Sequence, residues 1–179
     1  MNDKFQRLSE LGAGDFGHLD GSLIDHLQAT KNLLDEWSAP AVLKDAGLYH
    51  AAYGTAGFDD KLVSILQRDE ISLIIGPEAE EIVYQYCACD REYLFSQIGT
   101  TDFPEFKNRF TGEHYPLPAT LMRQFCELTA ANETEIAIDN LDFIAAHGED
   151  LKDLFINMSP YLSEDARAKT ASVFGDEKI

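Results

Sequence analysis

The sequence is poor in cysteine, and the few cysteines present do not indicate a secreted protein. Cys87, Cys89 and Cys126 are the three cysteines among 179 residues, and an odd number with one Cys-x-Cys spacing is not a disulfide framework. Cys87 and Cys126 lie on apolar helical stripes. We therefore expect buried thiols and a reducing, cytoplasmic environment.

Long apolar runs and a leader segment are missing as well. No apolar run approaches the ~18–20 residues that a membrane-spanning helix needs. Residues 1–17 hold neither the apolar segment nor the cleavage site of a secretory signal peptide. Both absences predict a cytoplasmic protein that does not enter the membrane.

Positive charge is scarce. Lys and Arg number 14 against 32 Asp and Glu, a net charge of −18. Nucleic-acid affinity comes mainly from cations that neutralise phosphates, and anionic membranes attract basic segments in the same way. The acidic residues are spread along the chain, which is typical of a solubilising surface. We expect no nucleic acid and no membrane as partners. A small-molecule ligand or substrate is expected, and a homodimer is compatible with the sequence.

Helical periodicity runs through nearly the whole sequence. One continuous stripe, capped at its start by Asp20 or Ser22, consists of Leu23, Leu27, Thr30, Leu34 and Trp37. Pro40 occupies a first-turn position of the following helix, which Gly54 and Gly57 end.

Further helices are predicted at 3–11, 59–68 (capped by Asp59), 78–88, 119–146 and 163–173. The stretch 71–76 favours a helix or a turn entry over a strand, and 99–118 predicts a long irregular loop of the kind that is often functional. No repeat or linker is present. The sequence therefore predicts one all-α domain over 1–179, with its core at about 18–145.

Three histidines are candidates for a shared site. His26 lies beside the stripe of one helix and His50 beside that of the next, and helices joined by a short turn pack antiparallel. His18 lies on the glycine-rich segment 12–21, which can fold back over the same end. Three gathered imidazoles suit a mononuclear transition metal, with Fe, Zn, Ni or Mn as candidates. The competing interpretation is that each histidine is a surface residue or a hydrogen-bonded core residue.

The helix predicted at 119–146 carries a stripe that changes from apolar to polar: Leu121, Phe125, Leu128, Asn132, Glu135 and Asp139. An inward polar group needs a partner, because an unmade hydrogen bond costs about 1–3 kcal/mol. Asn132 and Glu135 therefore either face a wet pocket or rotate into solvent, with Ile136 and Phe143 continuing the core.

The order of these residues resembles the HD-domain superfamily, and more closely a divergent, poorly characterised branch of it. The matching pieces are His18, "LIDHL", "AGLYHAAYGT", "IIGPEAEEIVYQYCACDR", "TGE" at 111–113 and "AANETE". They cover roughly residues 18–145. The resemblance implies an all-α HD-like helical bundle and metal-dependent phosphohydrolase or di-iron oxygenase chemistry.

Two departures from the superfamily pattern bear on the metal. The superfamily has an Asp after the second histidine and another Asp late in the chain, and this sequence has Ala51 and Asn132 there. Losing two anionic ligands makes a di-metal site improbable. A mononuclear site with His18, His26 and His50, completed by Asn132 or Glu135, and complete loss of metal both stay open.

Around this site, we expect Glu135 and Tyr53 to act as catalytic groups. Tyr49, Thr55, Arg91 and Asn132 are the expected substrate contacts, Arg91 because a guanidinium binds phosphate or carboxylate. The alternative for Arg91 is an ion pair with Asp90 or with a glutamate at 78–81. Arg109 has the same two interpretations.

Three functions compete on this basis. The first is a metal-dependent enzyme, a hydrolase or an oxygenase, that acts on a small polar substrate, phosphorylated or not. The second is a catalytically degenerate ligand-binding or regulatory module on the same scaffold without metal. The third is an acidic partner-binding protein without pocket chemistry.

Overall fold

The computed structural model describes residues 3–13, 17–18, 21–57 and 60–175; of residues 17, 18 and 21 it describes the backbone alone. Within these residues the α-helices are α1 (Asp3–Glu10), α2 (Leu23–Glu36), α3 (Ala41–Tyr49), α4 (Arg68–Ile75), α5 (Pro77–Ala88), α6 (Arg91–Phe95), α7 (Ala119–Ala137), α8 (Leu141–Met158) and α9 (Glu164–Phe174). The prediction of a mainly helical protein is confirmed.

Two short antiparallel hairpins accompany the helices. Strands β1 (Gly17–His18) and β2 (Gly21–Ser22) pair directly before α2. Strands β3 (Glu105–Lys107) and β4 (His114–Pro116) pair with Phe106 opposite Tyr115. Phe106 is fully buried, so the second hairpin contributes one aromatic ring to the core.

Helices α2 and α3 form an antiparallel pair. Asp35 pairs with Lys44, Leu34 adjoins Gly47, and His26 meets His50, so the residue numbers run in opposite directions along the two helices. A β-carbon at Gly47 would stand 2.5 Å from Leu34 Cδ1. The missing side chain of Gly47 therefore leaves the room that the Leu34 side chain occupies.

Helix α7 is the centre of the fold. It packs against α2, α3, α5, α8 and α9. The buried Glu127 carboxylate of α7 accepts hydrogen bonds from the Ser163 backbone N–H (2.9 Å) and hydroxyl (2.5 Å) at the start of α9. A carboxylate at a helix N-terminus is favoured by the helix dipole, and here it fixes α9 onto α7.

Three predictions of local structure were wrong. No helix spans the described part of 59–68, since a 3-10 turn at Ile65–Gln67 leads into α4, and the predicted cap Asp59 lies outside the described residues. The loop predicted at 99–118 contains the β3–β4 hairpin. The helix predicted at 119–146 breaks after Ala137, where Asp139 takes a left-handed φ of 63° and Asn140 caps α8.

Three further predictions hold: the cap of α2, the helix at 71–75 and the burial of the cysteines. Ser22 caps α2 by accepting a hydrogen bond from the Asp25 N–H, and the stretch 71–75 is helical within α4. All three cysteines are free thiols and buried. Among the described residues, no helix is both long and apolar enough to cross a membrane.

Candidate functional site: an imidazole pair

His26 and His50 face each other in the interior. His26 lies in the first turns of α2, and His50 is the residue that ends α3. Their exposed fractions are 6% and 2%. The rings meet edge to face with centroids 5.1 Å apart, and the two Nε2 atoms are separated by 3.3 Å.

The other nitrogen of each ring is held by an acceptor. His50 Nδ1 donates to the Gly47 carbonyl at 2.8 Å, and because a carbonyl only accepts, this nitrogen carries the proton. His26 Nδ1 contacts the Glu135 carboxylate in the same way. The lone pair of the neutral His50 ring therefore belongs to Nε2, which lies 3.3 Å from His26 Nε2.

Asn132 places an amide oxygen beside the two rings. Its Oδ1 lies 3.0 Å from His26 Nε2, and its Nδ2 donates to Glu133 Oε1 at 3.0 Å. Because the Glu133 carboxylate only accepts, it fixes which end of the amide faces the histidines. Arg91 Nη1 lies 3.2 Å from the same oxygen. Arg91 therefore holds Glu133, Glu133 orients Asn132, and Asn132 presents its oxygen to the imidazole pair.

This donor set fits a transition metal. Histidine ligands bind metals through one ring nitrogen while the other donates to a carboxylate or backbone carbonyl, which is the arrangement at His26 and His50. Two nitrogens about 2.0–2.1 Å from a tetrahedral ion lie about 3.3–3.4 Å apart, close to the observed 3.3 Å. A proton on His26 Nε2, shared with His50 and Asn132, would satisfy the same three atoms.

The ligand set within the described residues is small. Among them no group of three or more His, Cys, Asp or Glu side chains could hold a metal. The His18 backbone pairs with Gly21 in the hairpin that enters α2, but its side chain lies outside what the structure describes. The predicted third ligand is therefore untested.

Tyr86 of α5 packs against the outer side of the pair. Its fully buried ring meets the His50 ring edge to face at 5.5 Å, and the Arg91 guanidinium carbon lies 4.9 Å from its centroid. Burial raises the pKa of Tyr86, so the phenol stays protonated at neutral pH. Neither its hydroxyl nor the buried Arg91 Nε has a hydrogen-bond partner among the described residues, an arrangement that costs about 1–3 kcal/mol per group.

The structure brings four of the predicted site residues together: His26, His50, Asn132 and Glu135. Asn132 is buried and Glu135 turns towards His26, so the alternative in which the polar part of the α7 stripe rotates into solvent is wrong for both. The stripe ends where α7 ends, because Asp139 is exposed beyond Ala137. Whether these residues act as ligands or catalysts stays a prediction.

Other predicted contacts are engaged elsewhere. The Tyr49 hydroxyl donates to the Lys4 carbonyl at 2.6 Å. The Tyr53 hydroxyl donates to Glu80 at 2.8 Å, and Arg68 pairs with the same carboxylate. Thr55 is buried, with 6% of its surface exposed. These bonds hold α3 to α1 and α5, and the predicted substrate and catalytic roles are untested.

Arg91 forms an ion pair, as its alternative interpretation expected, but the partner is not one of the residues predicted. Arg91 pairs with Glu133 of α7, not with a glutamate at 78–81, while Asp90 pairs with Lys107 at 2.7 Å. Arg109 makes no ion pair within the described residues; it donates to the Cys87 and Gly54 carbonyls at 2.7 and 3.1 Å. Arg109 therefore ties the end of α5 to the segment after α3.

Three residues that shape the site were not predicted to belong to it. Tyr86 lies within the helix predicted at 78–88, but it was not among the predicted site residues. Gly47 and Glu133 were not singled out, although Gly47 falls three residues before His50 and Glu133 directly follows Asn132. Gly47 acts through its backbone carbonyl, and Glu133 acts because α6 brings Arg91 close to α7. The sequence has no local signal for either contact.

The comparisons with known proteins give one match. The model of a family described as Domain of unknown function (DUF6817) matches residues 7–91, which include His26, His50, Tyr86 and Arg91 but not Asn132. No curated protein and no solved structure matches the chain.

Proposed function

We propose that the chain is a metal-dependent enzyme with a mononuclear centre, built on a divergent HD-like helical bundle. His26 and His50 hold the ion through Nε2, with the Asn132 amide oxygen beside them and His18 as the further ligand. The ion supplies Lewis acidity, or redox chemistry in the case of iron, towards a small polar substrate. The reaction class is hydrolysis or oxygenation.

One observation carries the proposal: the orientation of the two buried rings. Their Nδ1 atoms are committed to Gly47 and Glu135, and their Nε2 atoms lie 3.3 Å apart beside an amide oxygen. A cation that takes the place of a proton on His26 Nε2 would bring both Nε2 atoms and the amide oxygen into one attractive arrangement. A proton on His26 Nε2 that is shared with His50 and Asn132 is the alternative without metal.

Glu135 keeps the His26 ring in place by accepting a hydrogen bond from its Nδ1–H. Its side chain is 23% exposed, so this carboxylate connects the buried pair with solvent and can pass a proton outwards. This is the role that we propose for Glu135. Tyr53, whose hydroxyl is committed to Glu80, has no part in the proposed chemistry.

The order of the site residues along the chain supports the HD-like scaffold. The first histidine lies on a helix, the second ends the next helix, and the late polar position on α7 meets them, which is the superfamily order. Ala51, 3% exposed, replaces the Asp that follows the second histidine there. A buried alanine offers no oxygen for a second ion, which is why the proposal names a mononuclear centre.

Elemental analysis of protein purified without a histidine tag tests the proposal. We expect about one equivalent of a transition metal that withstands dialysis in salt, and loss of that metal in His26→Ala and in His50→Ala. The matched control is His147→Ala, an exposed histidine of α8, which should keep the metal. Wild-type protein that takes up no metal when supplied with Fe, Zn, Ni or Mn would refute the proposal.

A metal-free ligand-binding module is the second candidate. It is favoured by the absence of a third His, Cys, Asp or Glu ligand among the described residues. In that case a proton on His26 satisfies the pair, and the pocket binds a small acid or a nucleotide. Thermal stabilisation of metal-free wild-type protein by such a ligand, without any metal uptake, would favour this candidate over the enzyme.

A further inference from the structure

Tyr86 and Arg91 are neighbouring residues that each have one buried donor atom without a hydrogen bond. The Tyr86 hydroxyl and the Arg91 Nε are both buried, and neither has an acceptor among the described residues. The two side chains are neighbours, since the guanidinium carbon lies over the Tyr86 ring, 4.9 Å from its centre. Buried donors are rarely left unmatched in folded proteins, and each such case calls for an explanation.

The pair adjoins the imidazoles from two directions. The Tyr86 ring is in edge contact with the His50 ring at 5.5 Å. The Arg91 side chain reaches the same centre through Glu133 and Asn132, at 3.2 and 3.0 Å. Tyr86 and Arg91 therefore adjoin the imidazole pair, Tyr86 directly and Arg91 through Glu133 and Asn132.

The two donors call for an oxygen acceptor, and the surrounding charge selects its type. The positive charge of Arg91 is already matched by Glu133, and Glu135 adds a second negative charge next to His26. A dianionic phosphate would meet two carboxylates and a guanidinium that is already paired. A carboxylate carries one charge, and its oxygens accept from a phenol and from a guanidinium N–H.

We propose that Tyr86 and Arg91 form a carboxylate-binding subsite beside the imidazole pair, and that the substrate is a small carboxylic acid. This inference rests on the proposed function, since it names the substrate class for the same centre. The Tyr86 hydroxyl and the Arg91 Nε each donate to an oxygen of the carboxylate.

The test uses acetate as the probe and Tyr86→Phe as the variant. In the ligand-free protein we expect the melting temperature of the variant to equal or exceed that of wild type, because the substitution removes a hydroxyl without a partner. Acetate should raise the melting temperature of wild type more than inorganic phosphate at equal ionic strength does. Tyr86→Phe should bind acetate about tenfold more weakly, the factor expected for one lost hydrogen bond.

One control variant and one further test variant make the result specific. Tyr161→Phe, at a tyrosine of the 3-10 turn between α8 and α9, should bind acetate like wild type. Arg91→Lys keeps the charge but loses the Nε donor, and should also weaken acetate binding. The proposal fails if Tyr86→Phe binds acetate as tightly as wild type, if phosphate binds better than acetate, or if the ligand-free variant is clearly less stable.

Metal content separates this inference from the function on which it rests. Tyr86→Phe should retain the metal of wild type, because Tyr86 contacts a ligand ring without being a ligand itself. Acetate binding that is lost together with the hydroxyl, at unchanged metal content, supports the subsite. Wild-type protein without any metal refutes the proposed enzyme, while the acetate measurements still decide on the subsite.

Discussion

At the scale of single residues, the two histidines differ in how they are anchored. His50 donates to a backbone carbonyl within its own helix, at Gly47, and no side-chain substitution removes that acceptor. His26 depends on Glu135, a side chain that is 109 residues away in the sequence. The orientation of His26 is therefore the one that tertiary structure has to maintain.

Glu133→Gln tests how the amide is oriented. The variant removes the ion pair of Arg91 and substitutes a group that can donate as well as accept, so the Asn132 amide is no longer fixed. We expect a loss of about 1.5–3 kcal/mol in the free energy of unfolding, as for a hydrogen bond to a charged group. Metal affinity should fall about 10–100-fold, as for other groups that orient ligands.

Urea unfolding and competition with a chelator measure the two effects of Glu133→Gln. Glu149→Gln, an exposed glutamate of α8, serves as the matched control and should change neither. Metal affinity equal to that of wild type in Glu133→Gln would show that Asn132 is oriented without Glu133.

The cysteines allow a second prediction at this scale. Burial raises the pKa of both Cys87 and Cys89 to about 12, and the Cys87 thiol donates to the His50 carbonyl at 3.1 Å. Because the thiolate is the nucleophile, the native protein should react with iodoacetamide at pH 8 at least about a hundredfold more slowly than the urea-unfolded chain. Rapid alkylation of the native protein would contradict their burial.

The sequence predicts which residues form the site better than it predicts their hydrogen bonds and ion pairs. Helical spacing places His26 and His50 beside apolar stripes of helices that pack together, and it offers a pocket as one of two positions for Asn132 and Glu135. It does not indicate which ring nitrogen each acceptor holds, because that depends on distances of a few tenths of an ångström. The ion pair of Arg91 with Glu133 could not be predicted either, since it joins α6 to α7 across 42 residues.

At the scale of elements, the turn between α2 and α3 sets how the histidine-bearing helices meet. Ser38 in this turn is exposed and has a left-handed φ of 55°, a conformation that costs a residue with a β-carbon about 1 kcal/mol. Ser38→Gly should stabilise the protein by about 0.5–1 kcal/mol, a rise of about 1–4 °C in melting temperature.

Ser38→Ala is the control for that prediction. It keeps the β-carbon and its strain, so its stability should stay within about 0.5 kcal/mol of wild type. Both variants should be compared by thermal unfolding under the same conditions. A glycine variant that is less stable than wild type would show that the serine side chain contributes more to the turn than its backbone conformation costs.

Elements were predicted well where periodicity is long and poorly where it is short. Helices α2, α5 and α9 follow from apolar stripes with recognisable starts. Strands β3 and β4 have three residues each, which is too short for an alternating pattern to stand out. The break between α7 and α8 contains neither glycine nor proline. The left-handed conformation of Asp139 therefore could not be predicted from the residue types.

At the scale of the whole molecule, the net charge of −18 opposes compaction. Raising NaCl from about 0.01 M to about 0.1 M shortens the screening length from about 30 Å to about 10 Å. We expect the melting temperature of the metal-free protein to rise by several degrees over this range, and KCl to act equally. A melting temperature that falls with salt would mean that attractive ion pairs outweigh the repulsion.

Nitrogen-15 NMR of the two imidazoles, before and after metal is added, is the sharpest test of the proposed metal centre. We expect Zn²⁺ to shift the Nε2 resonances of His26 and His50 together to those of ligating nitrogens, while both Nδ1 atoms keep their protons. Coordination through Nδ1, or spectra of both rings that do not respond to any candidate metal, would contradict it.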